Sequence, residues 1–204
     1  MNILFFDTET TGKPKVYNAS YEDVDNWPRI TQIAWMLCNE QGDIISQNQT
    51  LIKPDGWEVP KEEFFINNNM STERCEAEGV PILEVLDQFM TAKLLADVLS
   101  AHNLSFDHRV VWAEFIRAGI EPRKGMHKIC TMMKSTKYCN LPNPRGYGAP
   151  KWPQLAELHR KLFDCDFDGA HDAMADVIAL KNSFFKLVEL KVIELPNLEE
   201  ATTA

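Results

Sequence analysis

The apolar positions of this chain fall into short runs near its start and into helical spacing further on. Ile3 to Phe6 is an unbroken apolar run that ends at Asp7, the pattern of a buried strand followed by a loop, here Thr8 to Trp27. Ile30 to Leu37 places Ile33, Trp35 and Leu37 in alternation. The turn-like Asn39-Glu40-Gln41-Gly42-Asp43 follows, and then Ile44 to Lys53, where Ile45, Gln47, Gln49 and Leu51 share one face. Two alternating runs joined by a turn that contains glycine predict an antiparallel hairpin, so the first three strands form a meander.

From Pro81 the period changes. Ile82, Val85, Leu86 and Phe89 recur at i, i+3, i+4 and i+7, which predicts an amphipathic helix with proline at its start. Val98, Leu99 and Ala101 predict a fourth strand, and Ser105 is placed to cap a helix that runs to about Ala118. Lys134 to Pro153 carries four prolines and two glycines and reads as a long irregular loop. Further helices are expected over Gln154 to Phe163 and from Asp172 to about Val192. Three antiparallel strands followed by alternating helices and strands predict an α/β fold, with a mixed sheet of an antiparallel meander plus parallel strands flanked by helices. A single domain is expected over residues 1–195, with a frayed tail over 196–204.

Composition narrows the class. The chain has 204 residues, of which 45% are hydrophobic and 25% charged, which suits a globular protein. No apolar run approaches the roughly 18 residues that span a bilayer, and Met1 to Asp7 lacks the basic start of a secretion signal. A cytoplasmic protein is expected, with no membrane partner. Cys38, Cys75, Cys130, Cys139 and Cys165 have no paired spacing, which predicts free thiols and no zinc site. A formal charge of −9 argues against general electrostatic capture of nucleic acid. However, Pro122 to Ala156 holds seven basic residues (Arg123, Lys124, Lys128, Lys134, Lys137, Arg145, Lys151) and no acid, which leaves −16 for the rest of the chain.

The candidate chemistry lies in three acidic clusters. In Phe5-Phe6-Asp7-Thr8-Glu9-Thr10-Thr11-Gly12, two carboxylates stand at i and i+2 where a strand ends, so both point to the same side. Acids this close repel one another unless a cation sits between them, and hard divalent ions favour such oxygen ligands. A solvated turn is the plain alternative. Asp107, in His102-Asn103-Leu104-Ser105-Phe106-Asp107, falls in the first turn of a helix, where the dipole favours a negative charge regardless of any chemistry. In His171-Asp172-Ala173-Met174-Ala175-Asp176, His171 and Asp176 lie about 140° apart on a helical wheel. If Asp172 is the cap, His171 sits outside the helix, and loop histidine and helical carboxylate converge from different directions.

Taken together, D-x-E, H-N-x-x-F-D and H-x-A-x-x-D, in this order, resemble the three motifs of the DEDDh (DnaQ-like) 3′–5′ exonucleases, over about Asn2 to Leu190. The resemblance implies a ribonuclease-H-like fold whose middle strand is Ile3 to Asp7. It also implies that Asp7, Glu9, Asp107 and Asp176 hold two divalent ions, Mg²⁺ or Mn²⁺, and that His171 is the general base, a task suited to imidazole near neutral pH. Thr10, Thr11, Met70, Asn103 and Phe106 become candidate substrate contacts, and the ligand is the 3′ end of single-stranded DNA or RNA, released as nucleoside 5′-monophosphates. Where many members carry His-Gly-Ile-Thr, this chain has Asn68-Asn69-Met70-Ser71. The Lys13 to Pro28 loop is longer than in compact members.

Lys134, Lys137, Arg145 and Lys151, interleaved with Tyr138, Tyr147 and Trp152, are candidates for holding a strand by charge and stacking. A DNA polymerase is a candidate partner by the same resemblance. Only about ten residues follow the last expected helix, which favours a free-standing nuclease or a partner docked on the globular face. Two other readings compete. One is a haloacid-dehalogenase-type phosphatase, which would want Asp at position 9 and leave His171 idle; the other is a non-catalytic nucleic-acid or polymerase-binding module on the same fold.

Overall fold

The computed structural model describes residues 1–121 and 125–197. Arg123 and Lys124 of the basic stretch, and residues 198–204 of the expected tail, lie outside the described residues. Five strands form one mixed sheet in the order β3-β2-β1-β4-β5. They are β1 (Asn2–Thr10), β2 (Ile30–Asn39), β3 (Ile44–Leu51), β4 (Val98–Ala101) and β5 (His127–Cys130). β1 is central: it pairs antiparallel with β2 and parallel with β4, and the meander of β1, β2 and β3 matches the sequence reading.

Among the described residues, seven α-helices flank the sheet: α1 (Glu63–Asn67), α2 (Thr72–Glu78), α3 (Ile82–Leu94), α4 (Leu104–Arg117), α5 (Thr131–Cys139), α6 (Leu155–Phe163) and α7 (Ala173–Glu189). Both faces of β1 are covered because its apolar run serves two cores. Leu4 and Phe6 pack with Phe89 of α3 and Val110 and Val111 of α4, whereas Ile3 and Phe5 pack with Val177 and Phe184 of α7. Phe5 meets Phe184 edge-on at 5.1 Å and Phe6 meets Phe89 at 5.4 Å. Each fully buried phenylalanine contributes about 1.5–3 kcal/mol, which fixes β1 rigidly between the two helical layers.

Several boundaries differ from those expected. β1 runs on through Asp7 to Thr10, because Asp7, Thr8 and Glu9 keep their pairing with Ala34, Ile33 and Gln32 of β2. The chain turns only afterwards, at Gly12 with φ +150. β2 is buried along nearly its whole length and does not alternate between core and solvent. α5 occupies the start of the expected Lys134–Pro153 loop. Its buried stripe is Thr131, Ser135 and Cys139, a helical spacing of small and polar residues that apolar periodicity does not register. α4 is preceded by Asn103 in the left-handed conformation, φ 68, and Ser105 is not its cap; the Ser105 hydroxyl accepts from Arg109 at 2.8 Å. Asp172 does cap α7, its Oδ1 accepting from the Ala175 N–H at 3.2 Å. The five cysteines are free, as expected. No helix among the described residues is long and apolar enough to cross a membrane.

The segment after β1 is tied down by a buried ionic knot. Glu114 of α4, 1% exposed, accepts from Arg29 Nε at 2.8 Å and from Arg117 at 2.9 Å. Arg117 in turn donates to the Trp27 carbonyl at 2.6 Å, and Arg29 exchanges hydrogen bonds with Thr11 at 2.9 and 3.0 Å. Removing the acid strands two guanidinium groups in a largely closed site, which costs more than the pair contributes when intact. Glu114→Gln is expected to lower stability by about 3 kcal/mol, measured as a shift in the urea midpoint at constant slope. A loss under about 0.5 kcal/mol would make the knot no stronger than a surface pair.

Candidate functional site

The site is built at the end of β1, where three elements meet. Period-two alternation puts Asp7 and Glu9 on the face of Ile3 and Phe5, the side covered by α7. That is the side from which Asp176 arrives, in the first turn of α7. Thr8 faces the opposite layer, where its N–H and hydroxyl both donate to Asp107 Oδ1, at 3.1 and 2.8 Å. The four acids thus reach one end of the strand from both helical layers. Asp107 is 3% exposed and comes in through Thr8.

His171 adopts a left-handed φ of 73, just before the Asp172 cap. Its N–H donates to Asp176 Oδ2 at 3.2 Å. The ligand atoms of Glu9, His171 and Asp176 all fall within 4.8 Å of one another, close enough to share a cation. The loop histidine and the helical carboxylate therefore converge as their spacing predicts. Asp172 stays out of the group as an anchor: its Oδ2 accepts from Gln49 of β3 at 2.6 Å, while Gln32 of β2 accepts from the Ala173 N–H at 3.0 Å.

The electrostatics show what the arrangement lacks. Burial raises the Asp7 carboxyl well above the ordinary carboxylate range, and Asp107, Asp176, Glu9 and Asp172 push it further. Glu9 is pushed up to about 8, by burial and then by Asp176, Asp107 and Asp172. Asp107 rises to about 7 through burial, although the Thr8 hydrogen bonds work against the shift. Asp176 rises to about 6 for the same reason, with the His171 N–H opposing. A cluster in which every acid is driven toward its protonated form is one that positive charge would relieve. Oxygen-rich donors with one imidazole suit a divalent cation.

A cavity of about 460 Å³ opens beside the acids. Its walls include Asp7, Asn103, His171 and Asp176, together with Trp152 and Phe167. Thr10 and Thr11 lie at the strand end, held by Gly12 and Arg29. Two expected contacts are placed elsewhere. Met70 is buried in a satellite core with Leu51, Val59, Phe65 and Cys75, and Phe106 packs toward Trp27; neither lines the cavity. At the Asn68-Asn69 departure, Asn69 takes φ 51, a conformation that glycine adopts freely and asparagine tolerates better than most residues. Ser71 then caps α2.

Sequence reasoning missed Phe64, whose ring meets His171 edge-on at 5.1 Å. It also missed His102, whose ring bridges the Thr131 hydroxyl at 3.0 Å and the Pro153 carbonyl at 2.9 Å. Burial lowers the His102 pKa to about 4, so its ring is neutral. A usable signal existed for Gln32, a polar residue within the apolar run of β2. Phe64 offered none, since only the fold brings it to His171.

The sequence model described as exonuclease matches residues 4–184. No curated protein sequence matches the chain. Among solved structures, E. coli exonuclease I in complex with a dT13 oligonucleotide is 20% identical, with 92% of this chain aligned to 41% of that one at a TM-score of 0.69. The zinc-bound form of the E. coli exonuclease I–single-stranded DNA complex is 21% identical, over 93% and 41% of the two chains, at 0.69. A product-bound exonuclease I is 18% identical, over 94% and 44%, at 0.70. At these identities the likeness is one of fold, and the chain spans about two-fifths of the length of those proteins.

The raised carboxyl pKa values set a pH dependence in the metal-free protein. The folded acids keep protons up to about pH 6–8, whereas an unfolded carboxyl releases its proton near 4. The folded state therefore binds more protons between those limits, and stability falls as pH rises through them. The thermal midpoint in EDTA should decline from pH 5 to pH 8.5, and Mn²⁺ should raise it most at the alkaline end. A flat profile that Mn²⁺ leaves unmoved would refute the cluster's electrostatics.

Proposed function

The chain belongs to the exonuclease family, and on that premise we propose that it is a DEDDh-type, metal-dependent 3′–5′ exonuclease acting on the 3′ end of single-stranded DNA or RNA. The observation that carries this reading is the gathering of four mutually repelling carboxylates and one histidine at the end of β1, beside an open cavity. The exonuclease I structures with oligonucleotides and with zinc support a single strand and a divalent cation as the partners.

Asp7, Glu9, Asp107 and Asp176 would hold two divalent cations, Mg²⁺ or Mn²⁺. When bound, the cations lower the pKa of the attacking water and offset charge on the departing 3′ oxygen. His171, just outside α7, would accept the proton of that water, and its exposure gives the proton a way out to solvent. Asp107 is oriented by Thr8, so only its second oxygen is free for a cation or a water. Trp152, 65% exposed on the cavity wall, offers a stacking face to a base. The Thr10–Thr11 backbone, pinned through Arg29 to the Glu114 knot, supports the terminal nucleotide. Lys134, Lys137 and Arg145 are exposed, whereas Lys151 is already paired with Glu157.

Incubation with end-labelled single-stranded DNA and RNA in Mg²⁺, Mn²⁺ or EDTA tests the reading. A ladder shortening from the 3′ end, nucleoside 5′-monophosphate products and silence in EDTA are expected. Shortening from the 5′ end, or undiminished hydrolysis in EDTA, would overturn it. Asp7→Asn should abolish hydrolysis and yet raise the thermal midpoint of the metal-free protein at pH 8, because it relieves repulsion. His171→Ala should lower kcat by roughly 10²–10⁴-fold with the Mn²⁺ affinity unchanged. If affinity falls in step with kcat, His171 is a ligand and not a base.

A further inference from the structure

One imidazole ties together three segments that line the site cavity. His102 directly follows β4, Thr131 opens α5, and Pro153 lies two residues before α6. The Pro153 carbonyl, 2.9 Å from His102 Nε2, can only accept a hydrogen bond, so Nε2 carries a proton. Burial keeps the ring neutral by lowering its pKa to about 4. Nδ1 is therefore an acceptor, and it takes the Thr131 hydroxyl proton at 3.0 Å. A single tautomer satisfies both partners, and both belong to buried residues.

The bond to Pro153 bears on the residue before it. Trp152 is 65% exposed, yet the chain is tied down on either side of it. The Lys151 N–H donates to the Leu141 carbonyl at 3.2 Å, and the Lys151 ammonium donates to Glu157 Oε1 at 2.5 Å. Glu157 Oε2 accepts from the Gln154 N–H at 2.8 Å, which closes the capping box of α6. The backbone under Trp152 is thus anchored from Leu141, from α6 and from His102. Its ring stays largely in solvent, on the wall of the cavity that also holds Asp7 and Asp176. An exposed aromatic ring on a fixed backbone loses little freedom when a planar group stacks on it.

We propose that His102 is a positioning residue for the substrate: through Pro153 it holds Trp152 where a nucleobase of a single strand stacks while the strand end lies beside the acids. This rests on the reading of the cavity as the seat of a single strand, and on neither metal nor hydrolysis. His102 acts through Trp152 and not on the reacting atoms, because both of its ring nitrogens are already engaged.

Two substitutions separate its two bonds. His102→Asn keeps a partner for Thr131 but is too short to reach the Pro153 carbonyl. His102→Gln keeps that reach and leaves the Thr131 hydroxyl the Ala101 carbonyl, at 3.5 Å, as its acceptor. Binding of 5′-fluorescein-labelled octathymidylate to the full chain is followed by anisotropy, in EDTA and again in Ca²⁺. Wild type should bind in at least one of the two. Trp152→Ala should weaken that binding about tenfold, as the loss of one stacked base does. His102→Asn should weaken it about threefold or more, and His102→Gln should stay within about twofold of wild type. In the Trp152→Ala background, His102→Asn should change the affinity by less than about twofold, because the ring it positions is gone. In Mg²⁺ the loss in His102→Asn should fall on KM and not on kcat. Absence of binding by wild type, a His102→Asn effect as large without Trp152 as with it, a His102→Gln variant as weak as His102→Asn, or a loss that falls on kcat overturns the proposal. A strand bound through Trp152 but never hydrolysed would end the exonuclease reading and leave this one standing, whereas hydrolysis with additive substitutions would do the reverse.

Discussion

The mutual repulsion of four carboxylates held on one strand end is the constraint around which the rest of the molecule is arranged. Left to itself, such a cluster would spread into solvent. It cannot spread here, because Asp7 and Glu9 are continuations of a strand whose preceding residues, Ile3 to Phe6, are clamped between two aromatic-rich cores. Asp176 is fixed by the Asp172 cap and by the bonds from Gln32 and Gln49 to the start of α7. Asp107 is fixed by Thr8, which belongs to the same strand but faces the other layer. Stability gathered in the cores thus offsets the cost of burying mutually repelling acids at the rim.

The division of labour along β1 also explains which parts of the molecule were legible in the sequence. Asp7 and Glu9 could be placed on a common side because a strand's period of two is rigid, and the strand was marked by four apolar residues in a row. The convergence of His171 with Asp176 could be inferred because Asp172 is a good cap and a helix has only one entrance. Elements whose burial is polar were not legible. α5 hides its contacts in Thr131, Ser135 and Cys139, and β5 is a four-residue edge strand of which only Ile129 is an apolar residue buried in the core. Met70 and Phe106 were misplaced for a related reason. Position beside a motif indicates proximity along the chain, whereas the side chain's direction depends on φ values such as those of Asn69 and Asn103, which no hydrophobic pattern encodes.

The ionic knot at Glu114 shows how the long segment after β1 can be both loop and scaffold. A segment of this length would ordinarily leave the Thr10–Thr11 backbone loose. Arg29 and Arg117 instead return the segment to α4, the helix that also carries Asp107 and His108. The strand end and the second acidic arm are therefore referred to one helix. Relative displacements among them require α4 itself to shift against β1, and Val110 and Val111 in the core oppose that.

Charge distribution sets the terms on which any polyanion can approach. A chain of formal charge −9 repels nucleic acid at distance, but at physiological ionic strength that field fades within about 8 Å. Inside that range the local pattern decides. Lys134 and Lys137 of α5 and Arg145 of the following loop are exposed, and Lys128 and Arg109 line a common cavity. Asp7 and Asp176 line another cavity, where a phosphate is repelled unless cations accompany it. Net acidity and local basicity are thus complementary, the first limiting indiscriminate adhesion and the second fixing where contact is made.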